Sequence, residues 1–148
     1  MRNRIWNSSL RKDVIKLFFT AICVCAGFAV QAQTVRYKAN NTDNLNLASS
    51  WSVAIPTAGT VAGWNNTVTG ANSVNLGADL SWLGIRILDP GGAVTIGGAN
   101  TLSTDAFGVD MNAATVDLTL NTASLTLKDY ASTFWNVASG RTLTVSPG

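Results

Sequence analysis

From residue 33 onward, apolar and polar positions alternate in short bursts. Apolar pairs flank a single polar residue at Val74-x-Leu76, Ile85-x-Ile87, Val94-x-Ile96, Val109-x-Met111, Leu118-x-Leu120, Leu125-x-Leu127, Trp135-x-Val137 and Leu143-x-Val145. Strands show this period because successive side chains point to opposite faces. Turn formers separate the bursts: Asp89-Pro90-Gly91-Gly92, Gly97-Gly98-Ala99-Asn100, Asn121 and Ser139-Gly140. No stretch of 33–148 sustains the 3.6-residue period of a helix. Short strands at this density predict an all-β protein, either a sandwich or a solenoid.

An internal repeat favours the solenoid. The anchor Ile85-x-Ile87 returns as Val109-x-Met111 and Trp135-x-Val137, at steps of 24 and 26 residues. A second anchor, Val94-Thr95-Ile96, returns as Leu118-Thr119-Leu120 and Leu143-Thr144-Val145, at steps of 24 and 25. Two anchors advancing together predict a parallel β-helix of about three coils. Each coil would lie about 4.8 Å above the last and bury its apolar pairs against its neighbours. Alternation then places Thr95, Thr119 and Thr144 in one outward ladder. Arg86, Asp110 and Asn136 form another, with an Arg86–Asp110 ion pair.

Residues 34–66 differ, holding Tyr37, Trp51 and Trp64 among Asn-rich turns. The end of a solenoid exposes apolar surface and strand edges that need covering. This predicts an N-terminal cap over 33–66 and coils over 67–148. Trp51 and Trp64 also fit a ligand-stacking platform, because flat rings pack on sugar faces; Trp82 and Trp135 add to that reading.

The N-terminus changes the composition. Arg2, Arg4, Arg11, Lys12 and Lys16 precede a 14-residue apolar run, Leu17–Val30, and then Gln31-Ala32. That is the layout of a secretory signal peptide, 1–32, cleaved near Ala32. Fourteen residues fall short of the roughly 20 that cross a membrane as a helix. Cys23 and Cys25 fall in this run, so the mature chain has no Cys and no disulfide to rely on. The whole chain is formally +2, but 33–148 carries five basic residues against seven Asp and is formally −2. Gly, Asn, Thr and Ser fill 50 of those 116 positions. The composition favours strands and tight turns. The near-neutral balance argues against nucleic acid.

Candidate chemistry is sparse. The sequence has no His and no Glu, so the commonest general base and metal ligand are missing. Asp105 and Asp129, one coil apart, are the pair best placed for two-carboxylate hydrolysis. Turn Asp residues that bond nearby backbone explain the same positions. Nucleophile elbows, phosphate loops and metal-ligand clusters are absent from the sequence, so no catalytic, cofactor or metal residue is expected.

Several segments resemble autotransporter-associated β-strand repeat proteins. They are Ala48-Ser49-Ser50-Trp51-Ser52 with Pro56–Thr60, Gly84–Pro90 with Ala93–Ile96, Gly108–Met111 with Asp117–Leu120, and Phe134–Val137 with Ser139–Val145. The resemblance implies a right-handed parallel β-helix, secreted or held at the outer cell surface of a bacterium. It implies a structural, display or adhesion role. A polysaccharide-binding or polysaccharide-cleaving β-helix is the alternative. The family's Gly-rich repeat, and any barrel or sorting anchor, are missing from the sequence. The chain is therefore expected to be an N-terminal piece of a longer passenger. Its membrane contact is expected only through the export signal or a downstream anchor. Its partners would be a surface or polysaccharide ligand.

Overall fold

The computed structural model describes residues 33–128 and 133–148. The expected signal peptide, with Cys23 and Cys25, lies outside the described residues. So does Asp129 of the Asp105/Asp129 pair.

The described residues form eight strands: β1 Val35–Tyr37, β2 Val61–Trp64, β3 Asn72–Asn75, β4 Leu80–Ile87, β5 Val94–Met111, β6 Leu118–Leu127, β7 Trp135–Val137 and β8 Leu143–Val145. Every strand–strand pairing is parallel. Parallel neighbours so close in sequence, with no crossover helix, leave the chain one course, winding into a solenoid.

Three ladders run up the stack. The first joins β1, β2, the end of β4, the end of β5 and β7, with Ile85 beside Val109 and Val109 beside Trp135. The second joins β3, the start of β5, the start of β6 and β8, with Val94 beside Leu118 and Leu118 beside Leu143. The third joins Leu80, Leu102 and Leu125. Both repeat anchors thus fall in the register expected from their spacing, and Thr95, Thr119 and Thr144 form one column.

β5 shows how the corners are made. Its 18 residues pass through all three ladders. The register shifts between Gly98 and Thr101, and again where β4 passes from Trp82 to Gly84. Gly98 and Gly108 have φ of 107° and 63°, a region that side chains with a Cβ rarely enter. Glycine at these corners lets the backbone turn without leaving the ladder.

The stack has about four turns, not three. The extra turn is built from β1, β2 and β3. Arg36 and Lys38 stand below Ala62 and Trp64 in the columns that higher up hold Ile85/Ile87 and Val109/Met111. Charged and small residues there hide the apolar-x-apolar signature. The parallel stack consequently begins inside 33–66, and only the connection between β1 and β2 leaves it.

That connection lies along the lower edge. The Leu45 and Asn46 amides donate to the carbonyls of Asn75 and Leu76 at 2.9 and 3.0 Å, and the Ser52 amide donates to Tyr37 at 2.9 Å. At the upper end no described strand lies beyond β7 or β8. Leu127, Trp135, Val137 and Val145, which continue buried columns, are exposed there.

The core fills the interior. Trp64, Trp82, Ile85, Ile87, Ile96, Leu102, Met111, Leu118 and Leu120 are essentially inaccessible. Burying such side chains contributes about 1.5–3 kcal/mol each, which is how a chain with few charges, and no Cys among the described residues, holds together.

Candidate functional site

The two expected ligand-stacking residues meet at the lower end. Trp51 and Trp64 pack edge to face, ring centroids 5.7 Å apart, and Trp82 completes the cluster at 5.8 Å from Trp51. Trp51 Nε1 donates to the Leu45 carbonyl, and Trp64 Nε1 donates to Asn72 Oδ1 at 3.0 Å. Trp51 is 5% exposed and Trp64 is fully buried. Neither offers a ring face to a ligand in this arrangement. Their geometry is that of aromatic packing, worth about 0.5–1.5 kcal/mol per pair beyond area burial.

Lys38 lies under this cluster, in the column of Trp64. Its Nζ donates to the carbonyls of Ala39 and Asn41 and to Asn41 Oδ1. Burial lowers its pKa from the ordinary 10.5, and the nearby Asp43 carboxylate opposes that shift. Three acceptors for three N–H groups describe a satisfied structural lysine.

The carboxylates are dispersed. Asp79 Oδ1 accepts from the Thr101 amide at 2.8 Å, Asp89 Oδ1 from Asn66 at 3.1 Å and Asp117 Oδ1 from Thr142 at 2.9 Å. Each partner lies in an adjacent turn of the stack, so these carboxylates fasten one coil to the next. Asp105 accepts from the amide of Ala106, and Asp43 from the Ser49 hydroxyl. Among the described residues no three of His, Cys, Asp and Glu are grouped as a metal ion needs.

The outward face of the first ladder carries a more varied surface. Arg86, Asp110 and Asn136 stack in register. Arg86 Nε and Asp110 Oδ2 form the expected ion pair at 3.0 Å. The guanidinium also lies 4.9 Å from the Phe107 ring centroid, a cation–π contact worth about 0.5–1 kcal/mol at an exposed site. The other carboxylate oxygen, Asp110 Oδ1, accepts from the Asn112 amide at 3.1 Å. Beside this row lies an open groove of about 430 Å³, lined in part by Phe107, Asp110, Asn112, Phe134 and Asn136. Phe134 is 67% exposed.

The sequence named the row but not the aromatic walls. Strict alternation back from Val109 turns Phe107 inward with the core. The positive φ of Gly108 breaks that alternation and brings the ring out against the Arg86 guanidinium. The glycine was the available signal. A Cβ on it would come within 2.3 Å of the Phe134 carbonyl, so the same residue also sets the approach of β7.

Comparison with models of protein families, with curated proteins and with solved structures gives no match.

Proposed function

We propose that the chain is an exported bacterial β-solenoid segment with a structural, surface-display or adhesion role and no active site of its own. The observation that carries this reading is the unbroken parallel register of all three ladders. It repeats each outward position vertically and uses Asp79, Asp89, Asp110 and Asp117 to join coils. A stack of this kind presents long rows of side chains at fixed spacing, which suits a spacer or an adhesive surface.

The rest of the reading follows from the same surface and from the sequence. Residues 39–60, bonded along the lower edge over the tryptophan cluster, act as the N-terminal cap. The upper edge, with Trp135, Val137 and Val145 exposed, receives a further layer of solenoid. The winding is right-handed, as in autotransporter-associated repeat proteins. Residues 1–32 direct Sec-type export, so the mature chain is secreted or held at the outer surface.

Expression of the full chain in a Gram-negative host tests this. Mass spectrometry of the extracytoplasmic fraction is expected to find a product beginning at or near Gln33. A chain retained whole in the cytoplasm overturns the export reading.

A further inference from the structure

We infer that the groove beside Phe134 binds a neutral oligosaccharide, a specificity that rests on the adhesion reading above and gives it a site. The groove combines an exposed aromatic ring with planar polar side chains, and the one charged side chain among its described lining residues, Asp110, is paired with Arg86.

Three observations support a sugar. Phe134, immediately before β7, offers a hydrophobic face, 67% exposed, and Phe107 also lines the groove. The C–H face of a pyranose packs on such a ring, and a volume of about 430 Å³ lies within the roughly 300–1,000 Å³ of small-molecule sites. Asn112 and Asn136 are exposed and line the same groove. A side-chain amide both donates and accepts, which matches adjacent sugar hydroxyls.

The electrostatics set the class. Among the described residues lining the groove Asp110 is the charged one, and Arg86 pairs with it while lying over the Phe107 ring. Asp110 is held also by the Asn112 amide. Among the described residues that line the groove, a phosphate, sulfate or uronate would meet no unpaired cation, and an ammonium group no unpaired carboxylate. A polyhydroxyl ligand asks for neither. The rows also recur at the coil spacing of about 4.8 Å, close to the advance of an extended polysaccharide per sugar. Phe134 and Asn136 point sideways from the stack, so further coils would lengthen the groove and leave it open.

Isothermal titration calorimetry on the full chain tests the assignment with cellohexaose, maltohexaose, chitohexaose and hexagalacturonate. Saturable binding of at least one of the three neutral hexasaccharides is expected. Phe134→Ala should weaken it tenfold or more, and Asn136→Ala several-fold. Thr119→Ala, on another outward ladder, should leave it unchanged. Circular dichroism of each variant controls for folding. The inference is overturned if no neutral hexasaccharide binds, if hexagalacturonate binds more tightly, or if the Phe134→Ala/Asn136→Ala double variant binds like the parent. Any of these results leaves export and display standing, because those are read from the location and N-terminus of the product.

Discussion

Two interior residues show how unevenly single side chains are served in this stack. Thr104 is buried in the third ladder above Trp82, and its hydroxyl has no hydrogen-bond partner. An unsatisfied buried hydroxyl costs about 1–3 kcal/mol. Thr104→Val keeps the shape and removes the polar atom. It should raise the stability measured by urea unfolding by about 1 kcal/mol, and a lower midpoint would contradict that. Lys38 is the opposite case, buried with every N–H bonded. Its folded pKa is lowered by burial. Between that lowered value and 10.5 the unfolded chain holds the proton more tightly. The folded state therefore gains stability as pH rises through this window. In Lys38→Met that gain should vanish, so unfolding midpoints taken from pH 8 to 10.5 should climb in the parent and stay flatter in the variant. Met also removes the three Nζ hydrogen bonds, leaving Ala39 O only the Asn41 amide and Asn41 O only the Asn72 side chain, so the variant should be the less stable protein at pH 8.

Strands and corners obey a different logic. The two anchor ladders were legible because Ile85, Val109 and Trp135, and Val94, Leu118 and Leu143, repeat at nearly constant steps with a polar residue between apolar ones. The lowest turn was not, because Arg36, Lys38, Ala62 and Asn72 occupy interior columns where apolar residues stand higher up. Asn72 is tolerated because its amide accepts from Trp64 and donates to Asn41. The third ladder was hidden by its corners, where register shifts interrupt the alternation. The candidate site followed the same division. Arg86, Asp110 and Asn136 could be placed in one row from spacing alone. Phe107 could not, because its direction depends on the backbone at Gly108. Gly108→Ala tests that corner. It forces a Cβ into a left-handed φ of 63° and against the Phe134 carbonyl. Chemical denaturation should show a loss of about 2 kcal/mol or more. Near-parental stability would mean that the corner accepts another conformation.

Across the whole molecule, packing thins from the lower end to the upper. The three tryptophans and the 39–60 connection enclose the first turns. β7 and β8 are three residues each and rest on one neighbouring strand. Opening free energy follows local burial and pairing. Native-state hydrogen exchange should therefore run fastest at 135–137 and 143–145 and slowest at 61–64 and 85–87. Equal protection at both ends would show that the stack opens as one unit.

The two ends also give the stack a direction. At the foot of the second ladder Leu45 and Asn46 already bond Asn75 and Leu76, while β7 and β8 at the upper edge have no described strand beyond them. A chain threaded through a pore with its N-terminus leading would complete its aromatic base first. Each later turn would dock on a surface already in place, so the advancing stack could draw the remaining chain after it.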